Sequence, residues 1–503
     1  MKESIHWADV TAKEILKKDI KHVVATGITP SGNIHIGNLR EVVTADAVYR
    51  ALLDAGADAR LIYIADTYDP LRKVYSFLPE SYERYVGHPI SEIPDPKGDC
   101  HSNYAEHFLD PFLRSIRELG VDIDVFKADE MYKSGVYVEA IKTALEKRDE
   151  IAEIIDNVSG KTTPPGWSPF NPICKACGRI NSAKVISYDL DEETVDYSCS
   201  CGDEGRVSMK GGGKLTWRVD WPARWEILGV TVEPFGKDHA VSGSSYDSGV
   251  ILAEKIFNFP APHPIPFEHI HLKGKGKMSS SSGVTITISE MLEVLPPEAL
   301  RYLIIRTKPE KHIDLDPGLP SLNLMDEFDG LPFSDRSLEL SQTESSKRFT
   351  AKVPFRHIVN AGQIADGDFD LLLEVLQRSG YDTSEDELIK LRSVKAERWL
   401  AKFAPDFVKF KVQKDLPDKA KNLSDIQKRA LRDLADMLDD KDAEEIHNEI
   451  YRMAEELDIK PAKIFEAIYI ALLGLKSGPR AGWFLVSLDR DFVKDRFRRV
   501  FEV

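Results

Sequence analysis

The sequence predicts an α/β fold with a parallel sheet, broken by a small cysteine knuckle and followed by helical domains. Three observations predict it: a strand, glycine-containing turn, helix and strand succeed one another near the N-terminus; four cysteines lie in two tight clusters; and helical spacing dominates beyond Pro296. Lys21 to Thr26, carrying Val23 and Val24, reads as the first strand, and Leu39, Val42, Val43, Ala47, Leu52 and Leu53 recur at helical spacing after it. Leu61 to Ala65 reads as the second strand. Such a βαβ unit binds its ligand at the carboxyl ends of the strands. In the connecting run Thr26-Gly-Ile-Thr-Pro-Ser-Gly-Asn-Ile-His-Ile-Gly-Asn38, Gly32 and Gly37 permit close backbone approach, and the helix start near Gly37 offers unpaired N–H groups to an anion. His35 and Asn38 project from this turn as hydrogen-bond donors.

The Pro/Gly-rich excursion Gly87 to Gly98 comes next, then helical patterns over Tyr104 to Leu119 and Val136 to Ile155. Thr162-Thr-Pro-Pro-Gly-Trp-Ser-Pro breaks the pattern and introduces the knuckle. Cys174, Cys177, Cys199 and Cys201 can point four thiolates at one tetrahedral centre, with Gly178 and Gly202 supplying the tight turns after each cluster. Four cysteine ligands make a closed, structural Zn²⁺ site; the bland alternative is four unliganded thiols. Cys100 stands apart as an ordinary thiol.

The α/β pattern resumes through Trp217-Arg-Val-Asp-Trp221, read as a strand, then Val230 to Asp238 and the helix-like Gly249 to Phe257. Pro296 starts a helix. A loop-rich stretch over 309 to 350 follows, and then helices, among them Pro461 to Leu473, closed by Gly474. The expected boundaries are 1–155 and 214–295 for the two halves of the α/β domain, 156–213 for the insertion, 296–385 for a linking region and 386–503 for the last helical domain.

With 503 residues, 42% of them hydrophobic, the chain can bury a substantial core in several domains. No apolar run approaches a membrane span, the start Met1-Lys-Glu-Ser is polar, and five cysteines do not form a disulfide framework, so a cytoplasmic location without membrane contact is expected. The net charge of −16 argues only superficially against a nucleic-acid partner, because a local basic track suffices. Arg392 to Lys414 and Arg490 to Arg499 are the candidate tracks, with ordinary solvated helix faces as the alternative.

A second motif lies far downstream. In Leu272-Lys-Gly-Lys-Gly-Lys-Met-Ser-Ser-Ser-Ser-Gly283, lysines alternate with glycines and then meet four hydroxyls, which suits a loop closing over triphosphate oxygens. Together with the first turn this resembles the HIGH and KMSKS signatures of class I aminoacyl-tRNA synthetases, with Asn38 in place of the final His and Ser280 in place of the second Lys. The runs GITPSGNIHIGNLREV, ADTYDPLRKVYSFLP, WRVDWPARW, FGKDHAVSGSSYD and KGKGKMSSSSG are similar to class I lysyl-tRNA synthetases of archaeal type, over nearly the whole chain.

That resemblance implies a Rossmann-type catalytic domain with a zinc-binding insertion, followed by α-helical stem-contact and helix-cage anticodon-binding domains. It implies ATP with Mg²⁺, L-lysine and tRNA(Lys) as substrates and partners. His35, Asn38, Lys277 and Ser279 are the expected catalytic residues; Pro30, Gly32, Gly37, Gly236, Asp238, Lys275, Met278 and Ser280 would contact ATP. Lysine would meet Gly27, Thr29, Trp217, His239 and Phe267, its ammonium facing Asp220 or, failing that, Asp66, since a carboxylate and aromatic walls suit an aliphatic cation. Arg480 and Trp483 would read the anticodon, unless Trp483 only packs between helices. The competing readings are a glutamyl- or cysteinyl-tRNA synthetase, a noncatalytic tRNA-binding paralogue, and a small-molecule adenylyltransferase.

Overall fold

The computed structural model describes residues 5–17, 21–274, 276–277, 285–344 and 351–502. The chain divides into two compact units, Met1–Leu292 with Leu300–Leu315 and Ser334–Lys347, and Glu293–Ala299 with Asp316–Phe333 and Arg348–Val503.

The first unit is built on a sheet whose strands, among the described residues, are β1 (His22–Ile28), β2 (Ala59–Ala65), β3 (Asp124–Lys127), β4 (Val232–Gly236) and β5 (His263–Phe267). All pairings are parallel and the spatial order is β5-β4-β1-β2-β3, the doubly wound arrangement whose order reverses between β1 and β4. Parallel strands buried on both faces need continuous apolar runs, and His22-Val-Val-Ala-Thr supplies five successive buried residues. Helix α1 (Ile36–Asp54) crosses from β1 to β2 and buries Leu39, Val42, Val43, Ala47 and Leu52. Helix α2 (Tyr104–Glu118) is capped by the Asn103 side chain, which accepts from Glu106 N–H.

Long-range arginine bonds close this unit. Arg301, fully buried, reaches the Asp46 carboxylate at 2.5 Å and the carbonyls of Leu119 and Leu340 at 3.2 and 2.7 Å. Arg40 donates to the carbonyls of Lys308, Pro309 and Lys311.

Three expectations are corrected here. Trp217–Leu228 is helix α3, not a strand, and it stacks Trp217 on Trp221 with ring centres 5.3 Å apart. The stretch 309 to 350 carries the strand Ile313–Leu315 and the helices Leu319–Asp329 and Arg336–Ser341. The helical pattern over Val136 to Ile155 is two helices, Val138–Glu146 and Arg148–Ser159.

The insertion starts and ends at a separate antiparallel pair, Phe170–Pro172 with Gly213–Leu215, beyond which Ala183–Asp189, Thr194–Cys199 and Glu204–Ser208 form a small antiparallel sheet.

The second unit is helical. Asp425–Met437, Ala443–Glu456, Pro461–Leu473, Ala481–Ser487 and Arg490–Glu502 bury Leu431, Leu434, Ile450, Ile468, Phe484 and Phe497 in one core. Ser424 and Asp442 start two of these helices with capping boxes. The basic stretches are partly internal: Arg392 is buried against Asp329 at 2.5 Å, and buried Arg496 donates to the carbonyls of Ala471, Gln413 and Lys414.

Candidate active site

A cleft of about 470 Å³ opens at the carboxyl ends of β1, β4 and β5, where the order of the sheet reverses. Gly27, His35, Gly37, Asn38, Trp217, Gly236, Asp238, His239, Phe267 and Asp66, the alternative for the ammonium, line it, so ten of the residues expected from the sequence share one cavity. Thr29, Pro30, Gly32 and Asp220 are absent from its lining. Thr29 instead donates to Asp69 at 2.7 Å.

The turn before α1 is organised by its own side chains. His35 is the N-cap, its Nδ1 accepting from Gly37 N–H at 3.1 Å, while Asn38 Oδ1 accepts from His35 N–H at 3.2 Å. An accepting Nδ1 places the proton of the neutral ring on Nε2, leaving His35 a donor. Gly27 is obligatory for a different reason: a Cβ there would meet the Ile64 carbonyl oxygen at 2.6 Å.

Both flanks of the lysine-rich loop are anchored at the same end of the sheet. Gly276–Lys277 pairs with Ile270–Leu272, and on the other side Thr287 bridges His35 while Ile36 N–H donates to the Ile286 carbonyl at 3.0 Å. Of Lys277 only the backbone is described; Lys275, Met278, Ser279 and Ser280 lie outside the described residues.

The acidic residues of the cleft fall into two classes. Asp66 and Asp220 each meet Arg224 Nη2 at 2.5 Å, Tyr132 donates to Asp220 at 2.5 Å, and Lys214 Nζ lies 2.6 Å from Asp69 and 3.6 Å from Asp66. Burial alone would raise the Asp66 carboxyl, but Arg224 and Lys214 hold it below its ordinary value. Asp220, fully buried and shared by Tyr132 and Arg224, is a support beneath Arg224 and not a wall of the cavity. Arg218, on the same helix, does not pair with Asp220 and donates to Ser244 O and Ser248 Oγ.

Among the described residues, the second class forms no salt bridge. Glu41, one turn into α1, accepts from Thr26 Oγ1 at 2.7 Å and Gly27 N–H at 2.8 Å. It is packed round by protein yet keeps access to the cleft, and burial pushes its carboxyl up to about 8. Glu233 accepts from the indoles of Trp221 and Trp225 at 3.0 and 2.5 Å, and burial pushes it up to about 7. Sequence reasoning missed Glu41, Arg224 and Glu233. The one available signal was the spacing of Trp217, Trp221 and Trp225, every fourth residue, which marks a helix face that carries Asp220 and Arg224 one turn apart.

In the insertion, the sulfurs of Cys174 and Cys201 are 3.6 Å apart and those of Cys177 and Cys199 3.7 Å, all four lying within 4.8 Å of one another. Tetrahedral zinc with Zn–S of about 2.3 Å has S···S edges of about 3.8 Å, so the set fits that ion. Gly178 and Gly202, at φ 70° and 94°, make the turns after each pair.

In the helical unit, Arg480 is exposed at the N-cap of Ala481–Ser487. Trp483 is half-buried: it packs on the core and edge-on to His357, and also lines a surface hollow of about 540 Å³ with Arg378, Lys441 and Arg490.

Residues 5–355 match the family model described as tRNA synthetases class I (K), and residues 399–501 match an anticodon binding domain. The chain is similar to the lysine–tRNA ligase of Methanosarcina barkeri, 54% identical over 99% of this chain and 98% of that one. It is also similar to lysine–tRNA ligase 1 of Methanosarcina acetivorans, at 53% over 98% of both, and to the lysine–tRNA ligase of Archaeoglobus fulgidus, at 50% over 98% of this chain and 99% of that one.

Proposed function

Because the chain belongs to the class I (K) tRNA synthetases, we propose that its cleft joins ATP and L-lysine and passes the product to tRNA(Lys). The enzyme is a lysine–tRNA ligase: a lysine carboxylate oxygen attacks the α-phosphorus of ATP, pyrophosphate leaves, and a hydroxyl of the terminal tRNA ribose then displaces AMP from the lysyl-adenylate. The glutamyl, cysteinyl and noncatalytic readings are not favoured. The observation that carries the mechanism is the pairing of Thr287 with His35, which brings the flanks of both motifs to the reversal point of the sheet.

The reaction needs two anions held together and growing phosphate charge stabilised by fixed donors. His35, through Nε2–H, the N-terminus of α1 with Gly37 and Asn38, and Lys277 and Ser279 on the downstream loop supply them. Gly236 and Asp238 border the adenosine side, with Pro30 and Gly32 shaping the turn behind it. Mg²⁺ accompanies the triphosphate and neutralises part of its charge when bound.

For lysine, Gly27 and His239 flank the backbone part and Trp217 and Phe267 wall the aliphatic stem. We assign its ammonium to Glu41 in place of Asp220 or Asp66. Both aspartates already face Arg224, whereas Glu41 is a carboxylate held by two neutral donors, and a bound ammonium relieves the cost of ionising it. Zn²⁺ in Cys174, Cys177, Cys199 and Cys201 holds the insertion, whose last strand presents Lys214 to Asp69. Arg480 and Trp483 contribute to anticodon binding. No helix of the described residues is long and apolar enough to cross a membrane, and a cytoplasmic location is part of the same reading.

ATP–pyrophosphate exchange with each of the twenty amino acids, followed by charging of tRNA(Lys), tests the proposal. Exchange driven by lysine is expected; exchange driven by glutamate or cysteine contradicts it.

A further inference from the structure

Glu233 is a buried carboxyl that the chemistry of the cleft leaves without a task. It lies on β4 with 7% of its surface exposed, and its Oε1 and Oε2 accept the indole N–H groups of Trp221 at 3.0 Å and Trp225 at 2.5 Å. Burying a carboxyl is costly, and an apolar side chain between two phenyl rings would fill the same space without needing any hydrogen bond. What the carboxyl adds is ring orientation. The χ2 preference of tryptophan is broad and roughly two-fold, so apolar neighbours alone accept an indole turned over. The N–H lies on one edge only and needs a partner when buried, so Glu233 selects one setting for each ring.

That setting is passed on toward the cleft. Trp217, Trp221 and Trp225 fall every fourth residue on one face of α3. Trp225 is sealed from behind, where the helix Ser245–Lys255 brings Gly249 so close that a Cβ there would meet Trp225 Cη2 at 2.8 Å. Trp221 comes next, edge-on to Phe235 with ring centres 5.4 Å apart. Trp217, half-buried, stacks on Trp221 with the planes 15° apart, and the His239 ring stands 6.1 Å from Trp217 and 5.6 Å from Trp221. The plane that Trp217 offers the cleft is therefore close to the plane of Trp221, which Glu233 fixes.

We propose that Glu233 is a positioning residue for amino-acid selection: by clasping Trp221 and Trp225 it sets the plane of Trp217 and the place of His239, and so the width of the slot that takes the lysine stem. Glu233 borders the cleft, but both of its oxygens are turned to indole N–H groups, and it acts on substrate through those rings. The inference rests on the reading of Trp217 as a wall of that slot. A slot of fixed width favours one stem length, so the clasp contributes to the rejection of ornithine, one methylene shorter, a difference worth about 10- to 200-fold in a fitted apolar pocket.

Pyrophosphate exchange at varied lysine, ornithine and ATP tests this. Glu233→Gln keeps the shape but leaves one acceptor oxygen and turns an NH2 group toward the other indole. Lysine KM is expected to rise about tenfold, the worth of one hydrogen bond, and the preference for lysine over ornithine to fall, with ATP KM and kcat unchanged. Trp221→Phe, which keeps the stacked ring and removes the N–H, should give the same pattern. Glu233→Gln/Trp221→Phe should add no further rise, because both single changes break one contact. Rises that multiply in the double variant mean that Glu233 meets lysine directly, and they overturn the proposal. So does a lowered melting temperature with lysine KM unchanged, or with lysine and ATP KM values raised together. If Glu233→Gln does not fold, Trp221→Phe decides by the same split of KM values. Trp217→Ala tests the wall itself. Unchanged lysine KM there removes the wall and this inference with it, whereas a raised value beside an unaltered one in Glu233→Gln overturns the clasp alone.

Discussion

At the scale of single residues, Glu41 is the group whose charge most depends on what occupies the cleft. Its carboxyl, pushed up to about 8 from an ordinary 4.5, is mostly neutral at pH 7 in the empty enzyme. An arriving ammonium favours the ionised form, so lysine binding expels a proton, and the lysine KM is expected to fall roughly tenfold between pH 7 and pH 8.5. Calorimetry at pH 7 in buffers of different ionisation enthalpy should detect that proton, and Glu41→Gln should abolish both its release and the pH dependence. The sign for stability is the reverse of the common carboxylate case. The unfolded chain ionises first, so the lysine-free protein loses stability as pH rises from about 4.5 toward about 8. Asp220 behaves differently, because its partner is internal. Asp220→Asn is expected to cost about 3 kcal/mol, as for one side removed from a buried pair, and to move the lysine and ATP KM values together. A lysine KM that rises alone, at unchanged melting temperature, contradicts this. These two residues also mark where sequence reading stops. His35, Gly37 and Asn38 are legible because the motif is local, whereas Asp220 could be set against an ammonium only while Arg224, four residues on, was not known to lie on the same helix face.

At the scale of elements, the proposed function gives the N-terminus of α1 a structural and a catalytic duty in one ring, that of His35. His35→Ala removes the N-cap acceptor, worth about 1 kcal/mol, and the Nε2 donor, worth ~10²-fold in rate. Exchange assays should therefore show a large loss of kcat beside a small change in melting temperature and lysine KM. The insertion should show the opposite balance. Cys177→Ala is expected to release one zinc and to admit protease within residues 173–212, with lysine activation reduced less than in His35→Ala. The βαβ unit and the helix Pro461–Leu473 were readable from spacing and punctuation. Helix α3 was not: Trp217-Arg-Val-Asp-Trp221 alternates like a strand over five residues, and its period of four emerges only when Trp225 is included. Cys100, expected to stand apart, lies with Asp95, His101 and His107 within 4.8 Å of one another, a grouping of loop and helix residues that no short cysteine spacing marks.

At the scale of the whole molecule, activation and tRNA recognition should separate. Trp483→Ala is expected to raise the tRNA KM about tenfold, the cost of one lost base stack, while lysine-dependent exchange stays unchanged. Equal losses in both assays would assign Trp483 to helix packing alone. The acidic total of −16 gave no guide to where RNA binds, and two of the arginines in the candidate basic stretches, Arg392 and Arg496, prove to be internal. Arg301 has a consequence for the way the protein is made. A ribosome delivers the chain from its N-terminus, so β1, β2 and β3 emerge before β4 and β5 exist, and the last carbonyl around Arg301 arrives only with Leu340. Nascent chains stalled short of that residue should be cut readily by protease and those extended beyond it should resist. The cleft at the reversal point of the sheet thus takes shape late in the enzyme's own synthesis.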